Sequence, residues 1–272
     1  VDRIAFQFGS LSVTWYGLCV AAGFWLGIWT AARRAPRAGL SADAVWDMFW
    51  VLILGGIVGA RAWYVVSYWE RDFQNQPFSE VFMIHHGGLV FHGGFVAAAL
   101  AGFSWCAWRG LSGWRMADVL APSLALGHAV GRLGCLANGC CYGRRCDLPW
   151  GIRYPSRYGL PEASLHPTQA YEMLLGLALA GTLAWLFRRR RFDGQVFAVY
   201  LVAYAGARAF VELFRGDYPA NALRWGILTP AHWVSAGLLV LGVAVYWLRR
   251  GAGASESGPV PAVSPPPPMR HP

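Results

Sequence analysis

The chain has 272 residues, 56% hydrophobic and 14% charged, with a mean hydropathy of +0.36. Soluble domains carry nearer a quarter charged residues, so the composition excludes an ordinary water-soluble fold. The formal net charge is +9 and all 23 Lys/Arg positions are arginine, but these arginines fall in short clusters between apolar runs. Membrane topology demands that placement, and it argues against nucleic acid as a partner.

The first apolar run, about residues 13–32, is long enough to span a bilayer at about 20 residues per crossing. Its charges, Arg33, Arg34 and Arg37, follow it. A cleaved signal peptide carries them in front, so this run reads as a retained helix. A second run covers about 44–66, and a polar segment follows over 67–86. The third run, about 88–108, ends at Arg109 and Arg115. The fourth, about 117–130, is short and leads into a Gly/Cys/Arg-rich stretch, read as a loop from Arg132 to His166. The fifth run, 168–187, stops at Arg188, Arg189, Arg190 and Arg191. The sixth covers about 195–214, and the seventh, about 231–248, stops at Arg249 and Arg250.

The expectation is an all-α, multi-pass membrane protein with about seven transmembrane helices. Residues 1–250 form one transmembrane catalytic domain, and the Pro-rich segment 251–272 is a disordered cytoplasmic tail. The dense arginine clusters follow the odd-numbered runs, which puts them on the cytoplasmic face, the amino terminus outside and the carboxyl terminus inside.

Several polar residues interrupt this apolar background. His92, in the string from Gly87 to Gly94, is a proton acceptor near an apolar segment or a histidine bonded to a neighbouring helix. The flanking glycines equally suit tight helix packing. Tyr204, Arg208, Glu212 and Arg215 recur at spacings of four, four and three, so they share one helical stripe. A charged stripe on an apolar helix faces a protein interior or a wet cavity. Arg208 and Glu212 also suit a simple internal ion pair. Arg132 stands between two glycines, with Asn138, Gly139 and Gly143 close behind. Cys135, Cys140, Cys141 and Cys146 have the spacing C-x4-C-C-x4-C. Adjacent cysteines fit one tetrahedral metal site poorly, and an outside location favours disulfides or free thiols, so no metal is assigned. Residues 166–172, HPTQAYE, open the fifth run; Glu172 and its neighbours line a pocket or finish a helix end.

Taken in order, WYG (Trp15–Gly17), FHGG (Phe91–Gly94), GRLGCLANGCCYG (Gly131–Gly143), HPTQAYE and YAGARAFVELFRGD (Tyr204–Asp217) resemble the prolipoprotein diacylglyceryl transferases, enzymes of the bacterial plasma (inner) membrane. Many members have Asn where this chain has Cys135, and a polar or charged residue where it has Cys140, so no role is carried to Cys135. The resemblance implies transfer of the diacylglyceryl group of phosphatidylglycerol to the lipobox cysteine of a preprolipoprotein signal peptide. A thioether forms and glycerol phosphate is released, without metal or other cofactor, at a site facing the outer, periplasmic side. His92, Arg132 and Arg208 are the expected catalytic residues. Tyr16, Asn138, Gly143, Tyr204, Glu212 and Arg215 are expected to bind substrate alongside the two arginines, among membrane lipids. Two other classes fit parts of the pattern: a transporter whose polar stripe lines a solute path, and a redox or metal-binding membrane protein built on the cysteines.

Overall fold

A computed structural model of the chain describes residues 4–8, 11–84, 87–155, 162–218 and 228–256. Two short strands, β1 (Ile4–Phe8) and β2 (Leu11–Thr14), pair antiparallel ahead of the helices, an element the sequence reading did not foresee. Seven long helices follow among the described residues: α1 (Trp15–Arg34), α2 (Ala42–Ser67), α3 (Phe91–Trp108), α4 (Gly113–Asn138), α5 (Thr168–Phe187), α6 (Gln195–Glu212) and α7 (Pro230–Glu256). Five of them, α1, α2, α4, α5 and α7, are long and apolar enough to cross a membrane. The 18-residue α6 carries Arg208 and Glu212. The seventh run extends to Glu256, past the expected stop at Arg250, and residues 257–272 lie outside the described residues.

Helix starts follow local capping chemistry. Thr14, Ser41 and Ser112 each offer a side-chain oxygen to a backbone N–H three residues on, at 3.1, 3.1 and 3.3 Å. The largest departure from expectation is α4, which continues through Arg132 to Asn138. Within it, Gly127 and Gly134 are packing positions, not turns. A Cβ on Gly134 would sit 2.9 Å from Cys19 Cβ and 3.2 Å from the backbone of Tyr16, and one on Gly23 would sit 2.8 Å from the Gly127 carbonyl oxygen. Helices α1 and α4 therefore approach backbone to backbone, the small-residue contact that drives association within lipid. Gly93 meets Gly59 in the same way where α3 packs on α2.

Outward-facing positions are apolar: Val58, Leu100 and Val240 are 67, 65 and 69% exposed. Such a surface on water would be an aggregation hazard; in a bilayer it is the lipid face. The close-packed core of Ile28, Val45, Met48, Val119, Leu183 and Val196 lies at one end of the bundle. The arginine clusters gather at that same end. Arg34 donates to the Val119 carbonyl at 2.8 Å, Arg115 pairs with Asp193 at 2.9 Å, and Arg249 donates to the Asp193 carbonyl at 3.2 Å. Beneath them Asp118, fully buried in α4, accepts from Gly194 N and Phe197 N at 2.9 Å each and so caps the start of α6.

The segment after α2 wraps around Arg61, whose guanidinium donates to five backbone carbonyls, of Glu80, Val81, Met83, Gly87 and Gly88, at 2.5–3.3 Å. Burying a guanidinium is costly unless its donors are met, and here a whole segment is folded to meet them.

Candidate active site

At the end of the bundle away from the arginine clusters, α4, α5 and α6 each turn polar side chains toward one place. On α4, His128 and Arg132 are four residues apart and share a face. On α5, Glu172 lies in the second turn. On α6, Tyr204, Arg208 and Glu212 form a stripe at spacings of four. The two arginines meet on Glu172. Arg132 Nε contacts Glu172 Oε2 closely, and Arg208 Nη1 lies 3.5 Å from Glu172 Oε1. Arg208 Nη1 also donates to Glu212 Oε2 at 2.5 Å.

The two carboxylates are held differently. Glu212, 1% exposed, accepts from Arg208, from Thr229 Oγ1 at 2.7 Å and from the Tyr218 hydroxyl, so both its oxygens are engaged. Burial, then the bond to Glu212, push Tyr218 above its ordinary pKa and keep it a donor. Glu172 is 6% exposed, and neither of its oxygens accepts an aligned hydrogen bond among the described residues. It is held by charge alone, between two guanidiniums and beside His128, whose Nε2 is 3.8 Å away. A carboxylate held only by charge is the component another anion can replace.

His128 is otherwise engaged: Arg132 Nε donates to its Nε2 at 3.4 Å, and its ring meets the Tyr204 ring edge-on at 5.4 Å. His128, Glu172, Tyr204 and Arg208 border a narrow cleft of about 20 Å³ between α4, α5 and α6, walled on its apolar side by Leu175, Gly176 and Leu179.

The other expected residues distribute unevenly. Tyr16, in the first turn of α1, lies with its backbone against Gly134, midway between Arg132 and Cys135 along α4. Asn138 ends α4. Gly143 bridges to Arg215 in the following loop; a Cβ there would lie 2.5 Å from His166 Cβ, which accounts for the glycine on steric grounds. Arg215 lies just past α6 and grips Asp217 with two bonds, 2.7 and 2.8 Å. Burial opposes its charge, but Asp217 more than offsets this and holds the guanidinium above its ordinary pKa. Among the described contacts, Arg215 does not join the pair on Glu172. His92 stands apart as well, exposed in the first turn of α3.

The sequence does not single out His128, although its spacing of four from Arg132 is a usable signal. For Glu172 it leaves both a pocket and a helix end open, because the partners of Glu172 belong to other helices.

The four cysteines at and beyond the end of α4 also divide. Cys135, Cys140 and Cys141 bring their sulfurs within 4.8 Å of one another, while Cys146 does not join them. Hydrogen bonds from Cys135 and Cys140, with the charges of Arg215 and Arg132 behind them, draw the Cys141 thiol below its usual pKa.

A bundle with a lipid-facing surface and two half-buried arginines converging on one buried carboxylate defines a multi-pass membrane protein with a charged cluster set among its helices. The family model described as prolipoprotein diacylglyceryl transferase matches residues 3–248. The chain is 34% identical over 262 residues to the phosphatidylglycerol–prolipoprotein diacylglyceryl transferase of Bacillus cereus, covering 94% of this chain and 95% of the relative. The proteins of that name from Bacillus mycoides and Bacillus anthracis match to the same extent. The chain belongs to the prolipoprotein diacylglyceryl transferase family and is a membrane transferase.

Proposed function

We propose that the chain moves the diacylglyceryl group of phosphatidylglycerol onto the lipobox cysteine of preprolipoproteins, with Arg132 and Arg208 holding the phosphate. The convergence of both guanidiniums on Glu172 carries this reading. A phosphodiester brings the charge that Glu172 now supplies and accepts the aligned hydrogen bonds that Glu172 does not. Leu175, Gly176 and Leu179 beside it give the glycerol backbone an apolar wall once the helices part to admit it.

The thiolate sulfur attacks the glyceryl carbon next to the phosphodiester oxygen. A C–S bond forms, the C–O bond breaks, and the electron pair leaves with glycerol phosphate. Two barriers oppose this. The thiol must ionise, and free cysteine has a pKa of about 8.5. The leaving phosphate gains charge as the bond breaks, and donors fixed in a water-poor site stabilise that charge most. Arg132 and Arg208 serve the second need. We assign the thiol proton to His92, exposed where a membrane-tethered peptide can reach it. Glu212 fixes the direction of the Arg208 fork. Tyr16, Asn138, Gly143, Tyr204 and Arg215 shape the surrounding headgroup pocket.

All seven helices cross the inner membrane in this reading, with the arginine-rich end in the cytoplasm, the amino terminus outside and residues 1–250 acting as one catalytic unit. Residues 251–272 are a cytoplasmic tail that the chemistry does not need. The site then lies in the outer half of the bilayer.

The test is transfer of labelled lipid to a lipobox peptide by the purified protein. Product with the wild type and none with folded Arg132→Ala or Arg208→Ala supports the assignment. Wild-type rates in both variants reject the phosphate clamp.

A further inference from the structure

We propose that Cys135, Cys140 and Cys141 form a thiolate site for a thiophilic divalent metal, zinc being the best match, at the C-terminal end of α4. Sequence spacing argued against such a site, because adjacent cysteines point apart in an extended chain. The fold removes that objection. Gly139 and Cys141 both take positive φ, +70° and +61°, which turns the chain back over the helix end. A side-chain-bearing residue in the left-handed region is sterically disfavoured. Strain of that kind persists where the surroundings over-determine it. Here they do: Thr168 Oγ1 and Gln169 Nε2, from the start of α5, each donate at 2.6 Å to the carbonyls of Cys141 and Cys140.

The distances suit the ion. All three sulfurs lie within 4.8 Å of one another. Even with every edge at that limit, the centre of the triangle would lie about 2.8 Å from each sulfur, and zinc–sulfur bonds are about 2.3 Å. A shift of about half an ångström per sulfur completes the set. The electrostatics agree. Three thiolates with a divalent ion carry one net negative charge, and Arg132 Nη1 stands 3.9 Å from Cys135 Sγ to meet it. Binding releases three thiol protons to solvent, and three protein ligands leave a fourth position for water or an external thiol.

The experiment uses the full chain in detergent, purified with and without zinc, then stripped with chelator and titrated with cadmium or cobalt. One metal per chain is expected, with the ultraviolet thiolate-to-metal charge-transfer band. The band should persist in Cys146→Ser and vanish in Cys135→Ser/Cys141→Ser. Should the double variant fail to fold, peptide-mapped alkylation of the wild type decides: zinc should protect Cys135, Cys140 and Cys141 and leave Cys146 reactive. Equal alkylation with and without zinc overturns the proposal. So does a band that survives in the double variant, or a disulfide joining any two of the three cysteines in protein as isolated.

Discussion

Replacing Arg208 by lysine tests the clamp more cleanly than truncating it. In Arg208→Ala the attraction to Glu172 across 3.5 Å is lost, about 5 kcal/mol at an effective dielectric of about 20. Glu212 is also left 1% exposed without its cation, and breaking a buried pair in this way costs about 3–5 kcal/mol net. Lost activity in that variant confounds chemistry with folding. Arg208→Lys keeps the charge, and Glu212 keeps its bonds from Thr229 and Tyr218. What disappears is the planar fork: Nη1 alone meets both glutamates, so the donors lost are those assigned to the phosphate. Losing one charge-assisted hydrogen bond, about 1.5–3 kcal/mol, predicts a fall in kcat/KM of about 10- to 100-fold. Helical circular dichroism and the thermal midpoint in detergent should change little. The assay is initial-rate transfer of labelled lipid at several phosphatidylglycerol concentrations. A lysine variant with wild-type kcat/KM would refute the reasoning, since a point charge would then do everything the fork is said to do.

His92→Gln should depress transfer at pH 6–8, with the loss partly reversed at higher pH where the peptide thiol ionises unaided; a normal rate across that range excludes an obligatory base. Gly127→Ala should lower the thermal midpoint by an amount equivalent to about 1–3 kcal/mol, because its Cβ would lie 3.1 Å from the Gly23 carbonyl oxygen. Gly206→Ala, where nothing lies within 4 Å of the added carbon, should leave the midpoint unchanged or higher. Asp72 supplies a pH test away from the site. The hydrogen bonds from Arg71 first, then Tyr64, lower its pKa from 3.8 to about 2. Its folded value is depressed, so its stabilisation is present above pH 3.8 and fades as pH falls through about 2. The midpoint difference between wild type and Asp72→Asn should follow that course, and a difference independent of pH would remove the ion pair from the account.

Much of the bundle was legible because lipid imposes a simple pattern: long apolar runs, the odd-numbered ones closed by arginine. The fifth run matched α5 residue for residue. The end of α4 was not legible. Gly131, Gly134 and Gly139 look alike in sequence, yet only Gly139 takes positive φ, while Gly134 makes room for Tyr16 on another helix. The α6 stripe was readable from its period, and Tyr204, Arg208 and Glu212 do face one cluster. Arg215 shared that period but falls beyond the helix, where Asp217 takes it. Glu172 and the cysteine triangle depended on contacts between segments distant in the chain, about which periodicity says nothing.

Asp118 gives α6 a fixed pivot. Its two bonds hold the helix at Gly194 and Phe197, while Arg208, about 13 residues along, lies about 20 Å away at 1.5 Å per residue. A tilt of about 5° at the pivot would carry that guanidinium nearly 2 Å and hardly disturb the anchored end. Parting α5 from α6 to admit acyl tails would therefore swing Arg208 by the same stroke. Label pairs across the two helices should then spread near Glu212 and hold still near Gln195 when lipid is added; equal spreading at both levels would mean the rod slides instead of swinging.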